Sequence, residues 1–456
     1  MNILNSLYDE SAWLELIEYK KEHQHLSRTD EDKWSCYIEN RRYIPLIDMV
    51  LSSVVLSEKD IYENGTDYPP TSLPLPLKRE INKSGSTKKR VIYSYPDNFN
   101  RLLKMIAFKL YTFDDIFAPN CYAFRRGTSV KDAIKRVQRI VQSKKYCLKV
   151  DISNYFNSID VNILLEKLDF IEGKDPNLFR LFEKLLTADA AVEYVNNTYI
   201  DNIKTNIVGN SSCFNIYASD NETDYKSHIN IIHEKRGAMA GTPISPFFAN
   251  VYLKDVDWYF NNNDIDYFRY SDDILIFADT YEELMEYKNI LYKEIEQVHL
   301  TLNPDKVSIC RPGEPIEFLG FQFEDGKIDI SYNTKKKMKA RIKRKSESLR
   351  RWARKKHLSG EKAAKGFIKV MNHKFYDTGN DKDFSWSRWF FPNLTTVKSL
   401  SEIDTYMQEY IRYCVTGRHY KGNYRITYDQ MKSWGYRNLV NEYYRFTESL
   451  FTGNVK

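Results

Sequence analysis

Three aspartates stand at positions where a carboxylate is costly unless a cation lies beside it. Asp151 follows the short, mostly apolar stretch Tyr146–Val150, which is interrupted by Lys149, and Asp272 and Asp273 interrupt the strand-like stretch Tyr267–Phe277. A charged group at the end of a buried strand needs a counter-charge. One hard divalent cation, or two held about 4 Å apart, would supply it, and paired Mg²⁺ ions are the usual apparatus of in-line phosphoryl transfer. An isolated Asp-Asp pair is most often an exposed turn, so the pattern alone names no enzyme.

The residues around these aspartates predict the elements that position them. Tyr146–Val150 is predicted to be a short strand, and Tyr267–Phe277 a strand, a tight turn and a second strand. Between them, a loop punctuated by Gly and Pro over 237–246 opens an apolar helix from Phe247 to about Phe260. Phe318–Phe323 is predicted to form one further strand.

The flanking regions are predicted to be mainly helical. Residues 1–65 and the run from Asn98 to about Phe113 have apolar residues at helical spacing, and the chain from Asn333 onward has the same character. Prolines at 69, 70, 74 and 76 exclude a helix there and predict a linker. The Asn-rich stretch 194–235 is predicted to be an excursion of loops or small strands, with no assigned role.

Length and composition exclude several classes of protein. The 456 residues suggest about three domains or large subdomains, and 42% hydrophobic with 14% aromatic residues exclude a wholly disordered chain. The longest apolar stretch, Ile44–Leu56, is short and contains Asp48, so we expect no membrane span. The acidic N-terminus lacks the basic start of a secretory signal. Six scattered cysteines without a Cys-x-x-Cys pair predict a cytoplasmic protein without zinc or disulfides.

The modest net charge of +6 conceals one strongly basic run. Residues 335–356 contain thirteen Lys or Arg and a single acid, Glu347, which amounts to +12 in 22 residues. A run of this kind is often only a solvated helix face. Two features favour contact with a polyanion instead. The run contains the aromatic Trp352, and it lacks the Glu residues that would pair with Lys or Arg at i,i+4 in a helix that neutralises its own charge.

The hairpin sequence YFRYSDDILIFAD (267–279) resembles the catalytic hairpin of reverse transcriptases, whose core reads Tyr-x-Asp-Asp. Six further segments resemble other blocks of that family, in the same order along the chain: KKRVIYSYPDNFNRLL (88–103), CYAFRRGTSVKDAI (121–134), LKVDISNYFNSID (148–160), RGAMAGTPISPFFANVYL (236–253), LTLNPDKVSI (300–309) and EFLGFQF (317–323). The first two are similar to finger blocks of bacterial enzymes related to group II introns and retrons. The resemblance covers roughly residues 80–325.

The resemblance implies an α+β fold, a right-hand polymerase with fingers and palm built of an antiparallel sheet plus helices, and a helical thumb. The implied regions are an N-terminal helical extension (1–67), fingers (68–145), a palm (146–330) with an insertion at about 190–235, and a basic thumb or C-terminal region (331–456). The implied activity is RNA-directed DNA polymerisation, the synthesis of cDNA by two-metal nucleotidyl transfer.

The family's catalytic residues carry over onto matching positions. Asp151, Asp272 and Asp273 match the three metal-binding carboxylates, and the carbonyl of Ile152 is a further expected ligand of two Mg²⁺ ions, for which Mn²⁺ could substitute. Lys306 matches the lysine expected to act as general acid toward the pyrophosphate, where developing negative charge must be neutralised.

Nucleotide-binding residues are expected on the fingers and beside the catalytic strand. Phe156 matches the bulky residue that fills the space of a ribose 2′-OH, although taken alone it is equally typical of core packing. Lys83 and Arg90 fall where the fingers contact the triphosphate. Arg125 either lines the same pocket or forms a structural ion pair.

One block departs from the family pattern. The usual Pro-Gln-Gly is replaced by Met239, Ala240 and Gly241, so the glutamine that helps to hold the incoming nucleotide and template is absent. Gly241 is retained, and we expect the loop to keep its shape near the nucleotide. Ala240 nevertheless leaves open an untemplated or protein-primed DNA polymerase as an alternative to templated synthesis.

The basic run is expected to lie along the nucleic acid and to contact phosphates without regard to sequence. The expected contacts are Lys335, Lys336, Lys337, Lys339, Arg341, Lys343, Arg344, Arg350, Arg351 and Arg354. The expected partners are an RNA template, a DNA primer or product, and dNTPs. The template could be a dedicated non-coding RNA that serves bacterial antiviral defence. We expect no membrane contact, and the sequence leaves the oligomeric state and partner proteins open. A non-catalytic RNA-binding scaffold is the alternative from a different class.

Overall fold

The structure is a computed structural model, and it describes residues 2–23, 26, 28–55, 73–82, 89–143, 145–194, 229–376 and 385–451. Lys83 and most of the Asn-rich stretch lie outside the described residues. The chain divides into two compact units, the first formed by Met1–Tyr19, Thr29–Val130 and Tyr146–Ile309, the second by Lys20–Arg28, Lys131–Lys145 and Cys310–Lys456. The finer division into extension, fingers, palm and thumb stays a prediction.

The strands alternate with helices through the first unit and form a short meander in the second. In chain order they are β1 (Leu77–Asn82), β2 (Lys89–Ser94), β3 (Tyr146–Asp151), β4 (Ala190–Tyr194), β5 (Ile229–His233), β6 (Tyr267–Tyr270), β7 (Asp273–Ala278), β8 (Ser308–Cys310), β9 (Ile316–Phe318), β10 (Phe321–Glu324) and β11 (Lys327–Ile330).

The helices account for the N-terminal region and for most of the second unit. In chain order they are α1 (Ile3–Ser6), α2 (Glu10–His23), α3 (Arg28–Glu39), α4 (Ile44–Val55), α5 (Asp97–Lys109), α6 (Val130–Gln142), α7 (Tyr155–Ser158), α8 (Val161–Lys167), α9 (Asp169–Glu172), α10 (Pro176–Thr187), α11 (Ser245–Tyr252), α12 (Lys254–Asn262), α13 (Tyr281–Gln297), α14 (Tyr332–Lys355), α15 (Gly360–Phe375), α16 (Trp386–Phe390), α17 (Lys398–Thr416), α18 (Tyr428–Ser433) and α19 (Leu439–Phe451).

Two four-stranded sheets organise the first unit. One has the strand order β2-β1-β4-β5, with β1 antiparallel to β2 and parallel to β4. The other has the order β6-β7-β3-β8, with β3 and β6 both antiparallel to β7. The second sheet carries the predicted catalytic segments. Most residues of its two central strands are buried, as expected when helices cover a sheet from both sides.

The core beneath the catalytic sheet is built from aromatic and aliphatic side chains. Phe260 on α12 stacks on Tyr267 of β6 with ring centroids 4.6 Å apart, and Phe182 on α10 meets Phe248 on α11 edge-on at 4.9 Å. All four side chains are fully buried. Such packing fixes the strand ends that carry the aspartates.

The second unit places α14, α15 and α17 against one another beside the sheet β11-β10-β9. Three aromatic side chains belong to its core, since Trp386, Phe390 and Phe391 are each less than a tenth exposed. Asp404 on α17 is buried and accepts bonds from the backbone N–H groups of Leu439 and Val440 at 2.9 and 3.0 Å. This carboxylate therefore caps the start of α19.

Two predicted elements are divided in the structure. The strand predicted over Phe318–Phe323 is the hairpin β9–β10, because Leu319 and Gly320 turn the chain with φ of 51° and 87°. Glycine tolerates such values readily, which favours a turn there. The predicted apolar helix begins at Ser245 and is two helices, α11 and α12, separated at Leu253. Among the described residues, no helix combines the length and apolarity needed to cross a membrane.

Candidate active site

The strand register brings the three predicted catalytic aspartates to one end of the catalytic sheet. Asp151, the last residue of β3, pairs directly with Asp273, the first residue of β7. Directly opposed residues of antiparallel strands lie about 4.5–5.5 Å apart at Cα. Asp272 occupies the β6–β7 turn, where its carbonyl accepts a bond from the Ile152 N–H at 3.1 Å, and Ser271 takes a positive φ of 61°. The register thus places the three aspartates at one end of the sheet, and their catalytic role stays a prediction.

Burial and mutual repulsion act on these carboxylates. Burial, and then the charge of Asp151, raises the pKa of Asp272 above its usual range. Burial also raises the pKa of Asp273, where the positive charge of Lys149 opposes the effect of the two neighbouring aspartates. The folded chain therefore disfavours the charged forms of both carboxylates relative to the unfolded chain.

Lys306 lies in the same site. Its ammonium contacts the Asp151 carboxylate, with Nζ 2.5 Å from Oδ2, and the lysine side chain is 42% exposed while that of Asp151 is 8% exposed. The short 3₁₀ turn Pro304–Lys306 is anchored to β3, because the N–H of Asn303 donates to the carbonyl of Asp151 at 2.8 Å. The predicted general acid is thus positioned by the main chain of the first catalytic strand.

The predicted metal ligands suit a hard divalent cation, because they are all oxygens: the carboxylates of Asp151, Asp272 and Asp273 and the carbonyl of Ile152. Within the described part of the chain, however, no three His, Cys, Asp or Glu side chains converge as a metal-binding group. The Asp151 carboxylate is turned to Lys306 instead. The metal site stays a prediction.

A buried ion pair contacts the β6–β7 turn from the protein interior. Arg269 on β6 and Asp257 on α12 have fully buried side chains and form a two-pronged contact, with Nε 2.8 Å from Oδ1 and Nη2 2.5 Å from Oδ2. Tyr267 donates its hydroxyl to the same carboxylate at 3.0 Å. Arg269 also donates from Nη1 to the carbonyl of Ser271 at 3.3 Å. The pair therefore connects α12 to the backbone of the turn that carries Asp272.

Further polar groups complete this network. Nη1 of Arg269 lies 3.4 Å from Oδ1 of Asn250, whose amide nitrogen donates to the carbonyl of Ala123 at 2.7 Å. Asn120 donates to the carbonyl of Asp257 at 2.9 Å. Neither Arg269 nor Asp257 is among the residues predicted from the sequence. The sequence feature that could have identified Arg269 is its position as the one charged residue in an otherwise aromatic strand.

The predicted sugar-selecting residue lies among aromatic rings near the hairpin. Phe156 is half-buried, and its ring centroid is 6.3 Å from that of Phe124 and 5.6 Å from that of Tyr155. Phe124 is 41% exposed, has a positive φ of 59°, and also approaches Tyr270 at 6.4 Å. Phe124 was missed from sequence. Phe156 is thus partly exposed, and its role as the sugar-selecting residue stays a prediction.

The glycine loop is held closely against the backbone of Phe156. The N–H of Ala238 donates to the Phe156 carbonyl at 2.7 Å, and Gly237 has a φ of 54°. A Cβ at Gly237 would lie 2.6 Å from that carbonyl oxygen. Gly241, with a φ of 103°, approaches β2 so closely that a Cβ would lie 2.9 Å from the carbonyl oxygen of Tyr93. Both glycines are therefore required by the shape of the loop.

Ala240 is fixed through its main chain. Its N–H donates to Oδ1 of Asn157 at 3.0 Å, and its carbonyl accepts from the N–H of Tyr93 at 2.7 Å. Nδ2 of Asn157 donates in turn to the carbonyl of Val91 at 3.2 Å. The loop thus keeps its position without the glutamine side chain that the family usually has there. Asn157 was not identified from sequence.

The predicted finger residues have different outcomes. Arg90 is exposed on β2, and its charge contributes to lowering the pKa of Asp272 against the larger effect of burial, so it lies within electrostatic reach of the turn. Lys83 lies outside the described residues. Arg125 requires a correction, because Nε contacts both carboxylate oxygens of Asp114 at 3.3 Å and Nη1 donates to the carbonyl of Ala118 at 2.8 Å. Its guanidinium is committed to a structural ion pair.

The basic run forms most of α14. Three of its ten predicted nucleic-acid contacts bind other parts of the protein instead. Lys335 and Lys339 contact Glu402 on α17 at 2.9 and 3.4 Å, and Arg350 donates to the carbonyls of Cys414 and Val415, both at 3.2 Å. These three side chains join two helices. The other seven predicted contacts are exposed: Lys336, Lys337, Arg341, Lys343, Arg344, Arg351 and Arg354.

Comparison with known proteins identifies the family. Residues 81–323 match "Reverse transcriptase (RNA-dependent DNA polymerase)", which is more than half of the chain. The chain belongs to this family, and the fold is accordingly the α+β right-hand polymerase fold that the resemblance implied. No match was found among curated protein sequences.

Solved structures similar to this chain include two fungal telomerases. Telomerase from Candida albicans in complex with a TWJ fragment of telomeric RNA is 14% identical, with a TM-score of 0.37, over 79% of this chain and 63% of that one. Apo telomerase from Candida tropicalis, truncated from the C-terminal domain, is 11% identical, with a TM-score of 0.38, over 56% and 55%. The chain thus spans less than two thirds of each, and we base no functional conclusion on them.

The buried pair behind the turn generates a stability prediction. Arg269→Met should lower the free energy of unfolding by about 3–5 kcal/mol, because it leaves the Asp257 carboxylate buried and uncompensated. Chemical denaturation measures this loss. Lys33→Met, which breaks an exposed contact with Asp30, is the matched control and should have little effect.

A double variant distinguishes the cost of an unpaired buried charge from the cost of lost packing. Arg269→Met combined with Asp257→Leu should recover part of the lost stability, because no unpaired charge remains in the core. If Arg269→Met were as stable as the wild type, the pair would not support the turn.

Proposed function

We propose that the chain is an RNA-directed DNA polymerase that adds deoxynucleotides to a primer at Asp151, Asp272 and Asp273. The observation that carries this proposal is the β3–β7 register, which brings the three carboxylates of the matched family region to one sheet end. Family membership supplies the reaction class, nucleotidyl transfer.

The residues of the site have separable roles in this reaction. Two Mg²⁺ or Mn²⁺ ions bound by the three aspartates and the Ile152 carbonyl would lower the pKa of the attacking hydroxyl and neutralise the pyrophosphate. Lys306, beside Asp151, is placed to donate a proton to the leaving pyrophosphate. Arg90, with Lys83, holds the triphosphate. Phe156 fills the space of a 2′-OH and thereby selects deoxynucleotides.

The exposed face of α14 is the surface that we propose for the nucleic acid. Seven exposed cations on one helix attract phosphates without regard to base sequence, so binding should weaken steeply as salt rises. Lys335, Lys339 and Arg350 act differently, because they hold α14 against α17 and so keep the cationic face outward.

We further propose a bacterial cytoplasmic enzyme that copies a dedicated RNA in antiviral defence. The support is the similarity of the finger blocks, residues 88–103 and 121–134, to bacterial enzymes related to group II introns and retrons. Sequencing the RNA that co-purifies with the protein tests this proposal: one recurrent transcript would support it, and a random sample of cellular RNA would contradict it.

Untemplated or protein-primed synthesis is the second candidate, and Ala240 is the observation that favours it. The missing amide removes one contact that steadies a nascent base pair in the family. Against it, the main chain of Ala240 is bonded to Asn157 and Tyr93, so the loop that lies near the base pair keeps its shape. Templated synthesis is therefore the better supported of the two.

Primer extension on two unrelated RNA templates tests the proposal. The wild type should give products complementary to each template, and Asp272→Asn or Asp273→Asn should abolish incorporation while RNA binding persists, because these side chains serve the reaction rather than the core. Sequencing of the products reads the outcome directly.

Three results would contradict templated catalysis in different ways. Identical products from both templates would establish the untemplated candidate. Full activity of either aspartate variant would remove the carboxylates from the reaction. RNA binding by a wild type that incorporates nothing with Mg²⁺ or Mn²⁺ would favour the scaffold alternative.

The role of Phe156 yields a separate prediction. Phe156→Ala should raise the use of ribonucleotides relative to deoxynucleotides by about 10-fold or more, since the obstruction at the 2′ position is gone. Competition between the two nucleotide types in primer extension measures the ratio. Phe156→Tyr keeps the ring and should keep the selection. An unchanged ratio in a folded Phe156→Ala protein would assign the ring to packing alone.

A further inference from the structure

The loop between α17 and α18 has a composition unlike the rest of the second unit. The segment Tyr410–Tyr428, which runs from the last turns of α17 to the first residue of α18, contains five tyrosines, one histidine and four Lys or Arg, and no acid. The loop itself, residues 417–427, includes a 3₁₀ turn at Lys421–Arg425. Cations interleaved with aromatic residues are typical of nucleic-acid contacts.

Internal bonds hold this loop in one conformation. Gly417 ends α17 with a φ of 74°, and its N–H donates to the carbonyl of Tyr413 at 2.7 Å. Asn423 is buried, its N–H donates to the carbonyl of Tyr420 at 3.0 Å, and its Nδ2 donates to that of Arg418 at 2.6 Å. A loop fixed in this way loses little conformational entropy when it binds a ligand.

The rings and cations of the loop nevertheless face solvent. Tyr420 is 48% exposed and Tyr424 is 69% exposed. The Tyr420 ring lies against Gly422, where a Cβ would approach the ring to 2.4 Å. The guanidinium of Arg412 lies 5.0 Å from the centroid of the Tyr424 ring. Each ring is therefore oriented by a neighbour and still presents aromatic surface outward.

Three cations surround these two rings. Arg418, Lys421 and Arg425 are all exposed. Arg418 and Lys421 flank Tyr420 in the sequence, and Arg425 directly follows Tyr424. Each ring therefore has a positive charge close to it along the chain. Folding has buried the apolar Ile426 of the same loop but left the tyrosines and cations outside.

The loop begins against the basic helix α14. The guanidinium of Arg350 donates to the carbonyls of Cys414 and Val415, and a Cβ at Gly417 would lie 3.1 Å from its Nε. One residue further along α14, Arg351 is exposed, and Trp352 is 45% exposed. The cationic surface proposed for phosphates thus continues from α14 into the α17–α18 loop.

We propose that the α17–α18 loop binds single-stranded RNA by stacking bases on Tyr420 and Tyr424 and pairing phosphates with Arg418, Lys421 and Arg425. Exposed rings favour a single strand because its bases are accessible, whereas a duplex offers mainly backbone and groove edges. The choice of RNA over DNA rests on the proposed function, in which the unpaired substrate is an RNA template. An acidic protein would use the cations but would not require the rings.

Direct binding by the full-length protein tests this site. The probe is a fluorescent single-stranded RNA of about 20 nucleotides, measured by anisotropy without dNTPs. The combined variant Tyr420→Ala and Tyr424→Ala should bind about 10- to 100-fold more weakly, because each base stack is lost. Tyr420→Phe with Tyr424→Phe should bind as the wild type does. Tyr444→Ala, at a tyrosine on α19 that is 51% exposed, is the matched control.

Charge variants test the phosphate contacts separately. Arg418→Gln combined with Lys421→Gln should reduce the slope of log affinity against log salt by about 1.4, since two phosphate contacts to a single strand are removed. An unchanged slope would remove these cations from the interface. The unfolding midpoint of each variant should equal that of the wild type, because all the altered side chains are exposed.

Comparison of probes decides what the loop binds. Loss of single-stranded RNA binding in the Tyr-to-Ala variant, with duplex RNA binding retained, supports the proposal. An equal loss for duplex RNA, tighter binding of single-stranded DNA than of RNA by the wild type, or no loss at all would overturn it. Because the assay contains no dNTPs and can be repeated in Asp273→Asn, failure of this site is distinguishable from failure of the proposed polymerase activity.

Discussion

The crowding of three carboxylates at one end of a largely buried sheet is the constraint on which the rest of the site depends. The strand register dictates this crowding, because Asp151 and Asp273 are directly paired on neighbouring strands and Asp272 is in the adjoining turn. Burial, together with the charges of the neighbouring aspartates, raises the pKa of Asp272 and Asp273, so folding disfavours their charged forms. Lys306 supplies the direct counter-charge, and a site of this kind is well suited to attract divalent cations.

A turn that holds repelling charges needs a rigid support. The Asp257–Arg269 pair provides it from the protein interior, where Arg269 reaches both the α12 carboxylate and the backbone of the turn. On the other side of the site, the glycine loop is bonded through its main chain to Phe156 and to β2. The aspartates thus lie at strand ends and in the turn between two strands, and main-chain contacts together with the buried Arg269–Asp257 pair hold these segments in place. Such preorganisation is what a polymerase site requires.

The local parts of this arrangement could be predicted from the sequence. The apolar run before Asp151, the β-prone residues around Asp272 and the order of the family blocks predicted β3, the hairpin and the aspartates. Contacts between distant residues could not be predicted in this way. Arg269 finds Asp257 on a separate helix, and Lys335 finds Glu402 67 residues away on α17. The ion-pair alternative for Arg125 was foreseen, but only the folded position of Asp114 decides it.

The central claim is that the fold forces these carboxylates together against their repulsion, and the unfolding midpoint of Asp272→Asn in buffer without divalent ions tests it most directly. Burial, and after it the charge of Asp151, raises the pKa of Asp272 on folding, so the unfolded chain loses this proton at a lower pH than the folded chain does. The folded protein is therefore destabilised as the pH rises through that interval. We predict a higher midpoint for Asp272→Asn than for the wild type at about pH 7.5, with a difference that shrinks toward about pH 4. A wild type more stable than the variant at about pH 7.5, or a difference independent of pH, would contradict the account.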